Sequence, residues 1–309
     1  MKILVPDTFP LQLPDDVEAV TYDIKADIPE EHRDAEVLVV WGNKPAKLKQ
    51  IAPQLPQLRL VQTLMAGADA VLAAGFRDEA AICSGIGLHD RTVTEHTLAL
   101  TLALVRKVPT LLANQRDHQW TWEISGRQPL ETKPVTTLLG ANVLIWGFGS
   151  IAQALAPQLA ALGATVRGAA RSAGERAGFP VVDESQLDEE LARADILVMI
   201  LPETEQTTKA LDAERLATLP EHAFVVNVGR GRTVDEDALL EALTAGRIAG
   251  AAIDVMWTEP LPEDSPLWDA PNLLISPHAA GGRPIGADAL VAEQLRALRE
   301  GGQLRNQAN

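Results

Sequence analysis

The chain has 309 residues, 46% of them hydrophobic, and a net charge of −15 at pH 7. The length is too great for one ordinary core, so two lobes are expected, and the acidic balance argues against nucleic acid and anionic membranes as partners. One cysteine, Cys83, excludes an internal disulfide and a cysteine-rich zinc site; no metal is expected.

No apolar run reaches the roughly 18 residues of a membrane span. The opening MKILVPDTFP runs straight into a strand-like segment and a proline. Without the longer apolar stretch of a secretion signal, a reducing, cytoplasmic setting is expected. Residues 2–5, 37–41 (VLVVW) and 58–62 (LRLVQ) read as strands of a small α/β lobe, with joints at Pro53 and Pro56. Leu64-Met65-Ala66-Gly67-Ala68-Asp69 follows the third strand directly. Small residues there either present backbone N–H groups to a carboxylate or form an ordinary turn. Residues 92–105 have the apolar spacing of a long helix, with a threonine near its start. His96 on it reads as a surface or packed histidine. The polar segment 114–133 is expected to wrap the surface, with Trp120 and Trp122 either anchoring it or lining a cleft, the anchor being favoured.

From Ala141 the pattern becomes strand–helix alternation. Val143, Leu144, Ile145 and Trp146 form the apolar run of a strand buried on both faces. Gly147-Phe148-Gly149-Ser150-Ile151-Ala152 follows, and a helical pattern continues to Leu162. This is a Gly-x-Gly-x-x-Gly/Ala turn between the strand and the helix it requires. Gly147 permits the tight turn, Gly149 the approach of a pyrophosphate, and Ala152 close packing of helix on strand. The helix N-terminus offers N–H groups to the anion. Residues 165–170, 196–200, 223–227, 248–253 and 273–275 read as further strands, and 236–245 as an amphipathic helix stopped by Gly246. Ligands of open α/β sheets lie beyond the carboxyl ends of the strands; Arg230, Asp254 and His278 all fall there. Residues 285–300 read as a last helix, ended by Gly301-Gly302, that could cross back to the first lobe.

A site for NAD usually carries Asp or Glu about 20 residues beyond the glycines, on the ribose hydroxyls. Here the second strand ends in Ala169-Ala170-Arg171-Ser172, with no acid. Arg171 can pair with a 2′-phosphate through its fork and Ser172 can add a hydroxyl. Losing the acid also removes a like-charge clash, and Arg176 is placed to assist. The alternative is that Arg171 is a solvated strand-end residue. NADP(H) is expected over NAD(H), with NAD(H) still possible.

GFGSIA at 147–152, LPETEQT at 201–207, NVGRG at 227–231, AAIDVMWTEPLP at 251–262 and SPHAAGG at 276–282 stand in one order along the chain. With them the sequence resembles, nearly end to end, the D-isomer-specific 2-hydroxyacid dehydrogenase family. The resemblance implies an α/β fold of two Rossmann-like lobes with parallel sheets and an active cleft between them. Residues 1–91 and 284–309 would form a flavodoxin-like substrate lobe, and 92–283 the dinucleotide-binding domain. It further implies a homodimer, with the helix of His96 near the interface.

By the same resemblance, Arg230 holds the substrate carboxylate and polarises the carbonyl. His278 is the general acid/base, and Glu259 pairs with it and orients its ring. Asp254 matches a residue at the nicotinamide end. Ala66 and Gly67 match the loop whose amides hold the carboxylate, alongside Arg230 and His278. Gly147, Phe148, Gly149, Ser150 and Ile151, with Leu201, Pro202, Thr207, Val228, Gly229, Arg230, Asp254 and His278, match the cofactor-binding positions. Trp41, Met65 and Trp257 are possible pocket walls, with packing the plainer role for each. Ala170 departs from the usual acid and Ala152 from the third glycine. The Arg171-Ser172 pair resembles NADPH-dependent glyoxylate and hydroxypyruvate reductases. Neither the N-terminal extension of formate dehydrogenases nor the C-terminal regulatory domain of many phosphoglycerate dehydrogenases is expected. The implied reaction is reduction of a small 2-keto acid by NADPH to the D-2-hydroxy acid. Alternatives are an NAD-dependent dehydrogenase of another 2-hydroxy acid such as phosphoglycerate, or a non-catalytic NAD(P)-sensing protein.

Overall fold

Every segment read as a strand forms one, and each joins a parallel sheet. The computed structural model describes residues 1–129 and 131–309; the segment 114–133 thus includes one residue, Leu130, outside the described set. The chain divides into two units, Met1–His89 with Gly282–Asn309, and Asp90–Gly281.

In the first unit, β1 (Lys2–Pro6), β2 (Glu18–Tyr22), β3 (Val37–Val40), β4 (Leu60–Thr63) and β5 (Ala81–Cys83) pair in the order β2-β1-β3-β4-β5, all parallel. Helix α1 (Pro45–Ile51) links β3 to β4, and α2 (Asp69–Leu72) follows β4. Strand side chains alternate between faces. Leu4, Leu38 and Val61 pack with Leu48 and Ile51 of α1 on one side. Ile3, Val37, Val39 and Leu60 pack with Leu290, Val291 and Leu295 of the final helix on the other. Fully burying each such side chain contributes about 1.5–3 kcal/mol, and a sheet covered on both faces needs the unbroken apolar runs seen here. Cys83 lies in this core, where burial pushes its thiol up to about 11.

The second unit opens with α3 (Asp90–Val105) and α4 (Val108–Arg116). No residue of α4 is buried, and Leu111 and Leu112 on it are exposed. Trp120 and Trp122 are not the expected anchors. They are 77% and 76% exposed and meet each other edge to face at 6.4 Å. Trp120 also borders a pocket that it shares with Leu111 and Ile124.

The chain continues through β6 (Asn142–Trp146), α5 (Ser150–Ala161), β7 (Thr165–Ala169), β8 (Gly174–Arg176), β9 (Phe179–Val182), α6 (Leu187–Leu191), β10 (Ile196–Met199) and α7 (Ala213–Thr218). Then come β11 (Phe224–Asn227), α8 (Glu236–Thr244), β12 (Gly250–Ile253) and β13 (Leu273–Ile275), before α9 (Ala287–Glu300) returns to the first unit. The sheet order is β13-β12-β11-β10-β6-β7-β9-β8. All neighbours are parallel except the β8–β9 hairpin. The chain leaves β6 toward β7 and returns to β10 on the other side, so the direction of winding reverses between β6 and β10.

Register sets the site. Ala169, Trp146, Met199, Asn227, Ile253 and Ile275 are successive cross-strand partners. Each is the last residue of its strand, so every connecting loop starts along one edge. Helix α5 lies close beside the sheet because its inner face is small where it begins. Ala152, Leu155, Ala156 and Leu159 are its buried residues, at helical spacing. Among the described residues no helix is long and apolar enough to cross a membrane.

Candidate active site

The glycines of the 147–152 turn differ in what they tolerate. Gly147 has φ 98°, and a Cβ there would lie 2.5 Å from the Ile200 carbonyl oxygen. A Cβ on Gly229 would lie 2.7 Å from the Leu201 nitrogen and oxygen. The backbone after β6, β10 and β11 is therefore pressed into one surface at the point where the winding reverses. Gly149 is the opposite case: a Cβ there would meet nothing within 4 Å. It is the N-cap of α5, with no side-chain cap on the first-turn amides. Open space above uncapped helix N–H groups suits an anion, so the turn fits the pyrophosphate of a dinucleotide.

Phe148 offers such a ligand only backbone. Its ring is buried at 2% exposure and fills the place a Cβ on Gly168 would take. Ser150 donates its hydroxyl to Asp90 Oδ1 at 3.0 Å, and Ile151 is half-buried. Thr207 closes the loop after β10, donating to the Pro202 carbonyl at 2.7 Å and accepting from the Thr204 amide at 2.8 Å. Arg171 and Ser172 are exposed beyond β7. Arg176, at the end of β8, donates to Ser172 Oγ at 2.7 Å, to the Ser172 carbonyl at 2.9 Å and to the Phe148 carbonyl at 3.3 Å. The hairpin thus ties the strand end bearing Arg171 to the glycine turn.

Asp254, the first residue after β12, is fully buried. Its Oδ1 accepts from the Ala279 amide at 2.8 Å and from the Ser276 hydroxyl, and its Oδ2 from the Ala280 amide at 3.0 Å. The His278 amide donates to the Asp254 carbonyl at 2.7 Å. These bonds curl residues 276–280 back onto the strand ends and hold His278 at φ 50°. A side chain with Cβ rarely adopts that backbone without local support.

The His278 ring donates from Nδ1 to Glu259 Oε2 at 2.7 Å. The other carboxylate oxygen, Oε1, accepts from the Met256 amide at 3.0 Å. Glu259 is thereby fixed at both oxygens. A carboxylate accepts, so Nδ1 must carry its hydrogen, and proton exchange falls to Nε2. A cavity of about 520 Å³ opens beside the pair, walled by Met256, Pro260, Leu261, Trp268, Ile275 and Pro277.

Arg230 follows β11 and donates from Nη1 to the Gly229 carbonyl at 2.8 Å. Its own carbonyl accepts from Asn227 Nδ2 at 3.2 Å and from the Thr233 hydroxyl at 2.6 Å. The next residue, Gly231, seats this loop on Met256, where a Cβ would collide with the Met256 carbonyl group. The loops bearing Arg230 and Glu259 are therefore in direct backbone contact. Trp257 packs between them and α8. Its ring donates to the Val234 carbonyl at 2.7 Å, and its amide donates to Glu236 Oε1 at 2.8 Å. Burial holds the Glu236 carboxyl above its ordinary value.

Ala66 and Gly67 belong to the first unit, in the loop after β4. Met65 there is 38% exposed. The Leu64 carbonyl accepts from the buried His89 at 2.7 Å, and the His89 ring stacks on Trp41 at 5.6 Å. Among the described residues no group of three or more His, Cys, Asp or Glu could hold a metal ion.

A doubly wound parallel sheet with an open phosphate-type turn at its reversal, and a carboxylate-held histidine at neighbouring strand ends, belongs to the dinucleotide-dependent oxidoreductases. Residues 98–280 match the family described as D-isomer specific 2-hydroxyacid dehydrogenase, NAD binding domain. The chain belongs to the D-isomer-specific 2-hydroxyacid dehydrogenase family and is an NAD(P)-dependent oxidoreductase. A putative 2-hydroxyacid dehydrogenase of Haemophilus influenzae is 30% identical, over 87% of this chain and 84% of that protein. The D-3-phosphoglycerate dehydrogenase of Mycobacterium bovis is 33% identical over 80% of this chain and only 46% of its own length. Among solved structures, the NADPH-dependent glyoxylate/hydroxypyruvate reductase of Sinorhizobium meliloti, in complex with NADP and sulfate, has a TM-score of 0.84 at 26% identity. That match covers 100% of this chain and 98% of the other.

Proposed function

We propose that the protein reduces a small 2-keto acid of the glyoxylate or hydroxypyruvate kind to the D-2-hydroxy acid with NADPH, as a cytoplasmic homodimer. The observation that carries the reading is the His278 ring held through Nδ1 by a Glu259 carboxylate that is itself fixed to the Met256 amide.

When bound, a nicotinamide would supply a hydride for the carbonyl carbon. His278, as imidazolium, gives the Nε2 proton to the carbonyl oxygen, and in the reverse direction takes it back. One hydride and one proton convert the keto group to the hydroxyl. Arg230 holds the substrate carboxylate through its planar fork and draws charge from the carbonyl. We assign further carboxylate contacts to the amides of Ala66 and Gly67. Gly147, Phe148, Gly149, Ser150 and Ile151 would take the pyrophosphate. Leu201, Pro202, Thr207, Val228 and Gly229 would line the rest of the cofactor, with Asp254 toward the nicotinamide.

Preference for NADPH rests on charge. Residues 170–172 carry no acid, and Ser172 is held by Arg176 beside the exposed Arg171. Two guanidinium groups and a hydroxyl suit a 2′-phosphate. The likeness to the mycobacterial enzyme favours a second reading, an NAD-dependent dehydrogenase of a phosphorylated 2-hydroxy acid. Glyoxylate, hydroxypyruvate and 3-phosphohydroxypyruvate, each with NADPH and NADH, separate the two. The first reading requires the highest kcat/KM for an unphosphorylated acid with NADPH. A maximum for the phosphorylated acid with NADH overturns it.

A further inference from the structure

The loop carrying His278 is held by a group that no motif singled out. His96, on α3, places Nε2 at 2.9 Å from Ser276 Oγ and 3.2 Å from Asp254 Oδ1. The hydrogen count at Ser276 fixes the direction of that bond. A hydroxyl has one hydrogen, and Ser276 gives it to Asp254. At Ser276 Oγ the imidazole must therefore be the donor. The same Nε2–H faces Asp254 Oδ1, so His96 carries a hydrogen on Nε2.

Asp254 gathers this set. Its carboxylate takes the Ser276 hydroxyl and the amides of Ala279 and Ala280, and its carbonyl takes the amide of His278. Every residue from 276 to 280 except Pro277, which has no amide hydrogen, is thus hydrogen-bonded to Asp254. Held this way, the loop keeps His278 at φ 50°, with its ring aimed at Glu259. His96 adds a donor from outside the loop and its strand.

We propose that His96 is a positioning residue: its Nε2–H, given to Ser276 and Asp254, sets the 276–280 loop and through it the proton-donating ring of His278. The inference rests on the reading of His278 as the acid/base group. Without the Nε2 donor the Ser276 oxygen loses that hydrogen bond, the loop gains alternative arrangements, and the ring spends less time in line with the substrate. We assign most of the binding of cofactor and keto acid to Arg230, the Ala66 and Gly67 amides and the 147–152 turn, whereas the partners of His96 are Ser276 and Asp254. The loss should therefore fall on kcat and spare KM.

Three variants and one spectroscopic measurement test this. His96→Leu is expected to lower kcat for keto-acid reduction about 10- to 100-fold, as misplacement of a proton donor does, while KM stays within about threefold of wild type. His96→Gln puts an amide N–H where Nε2 stood and is expected to recover kcat to within about threefold of wild type. Wild-type kcat in His96→Leu, or a KM that rises in step with the loss of kcat, overturns the inference. So does failure of His96→Gln to exceed His96→Leu.

His278→Gln tests the underlying reading separately. If it keeps turnover, that reading fails. If it is inactive while His96→Leu is not, only the role of His96 fails. Histidine side-chain 15N shifts of the cofactor-free wild type need no turnover. They are expected to show a hydrogen on Nε2 of His96; a bare Nε2 overturns the proposal. Should His96→Leu not fold, His96→Gln and the nitrogen shifts decide alone.

Discussion

Replacing Gly149 with alanine separates folding from cofactor binding. The added Cβ meets no protein atom within 4 Å, and the backbone at φ −87°, ψ −158° suits any L residue. Alanine is a poorer N-cap than glycine by about 0.5–1 kcal/mol. It also removes unfolded-state freedom worth about 0.4–1 kcal/mol. The two nearly cancel, so Tm should move by no more than about 2 °C. The methyl group would instead stand in the space through which we bring the pyrophosphate to the α5 amides. Losing one charge-assisted hydrogen bond costs about 1.5–3 kcal/mol. At about 1.4 kcal/mol per factor of ten, the Kd for NADPH should rise about 10- to 150-fold. Thermal unfolding and calorimetric titration with NADPH read the two effects. A Gly149→Ala variant that binds NADPH within about twofold of wild type would refute the reasoning, because then nothing approaches the turn there.

Gly147→Ala should behave in the opposite way. Its Cβ would lie 2.5 Å from the Ile200 oxygen at φ 98°, and we expect denaturant unfolding to register a loss of at least about 2 kcal/mol. Arg171→Ala should raise the Kd for NADPH about 10-fold or more and that for NADH less than about threefold; equal weakening of both would remove the 2′-phosphate assignment. Arg176→Ala should act in the same sense, since it frees Ser172 as well. Asp195 supplies a pH test. Burial raises its carboxyl, but the Asn142 amide, Lys133 and His222 outweigh that and hold it below its ordinary value. A carboxyl depressed in the folded state adds stability that is present above its unfolded pKa, about 3.9, and is lost as pH falls through the folded value. The stability gap between wild type and Asp195→Asn should therefore shrink on acidification through that window; a gap independent of pH would show that the charge contributes nothing.

The buried strands were legible because a sheet covered on both faces demands unbroken apolar runs, and residues 273–275 were located to the residue. What escaped lacks that signal. Strand β2 buries only Tyr22, and β5 has three residues. The β8–β9 hairpin begins with the polar Gly174-Glu175-Arg176, and α4 buries nothing, so no period marks it. Trp120 and Trp122 misled because aromatic rings in a polar stretch usually find an apolar bed, whereas these two stay largely exposed and meet each other edge to face.

The positions just beyond strand ends pointed to Arg230, Asp254 and His278, since register lines those ends along one edge. Glu259 lies outside any strand end, and only the resemblance drew attention to it. The donor from His96 had no trace in the sequence. It depends on a helix meeting a loop 180 residues away in the chain.

The most direct test is a single turnover of bound NADPH with glyoxylate, followed by nicotinamide absorbance in wild type and His278→Gln, with the NADPH Kd measured on both. The account predicts an unchanged Kd and a rate lower by about 10²–10⁴-fold in the variant. A variant that oxidises NADPH at nearly the wild-type rate would contradict it.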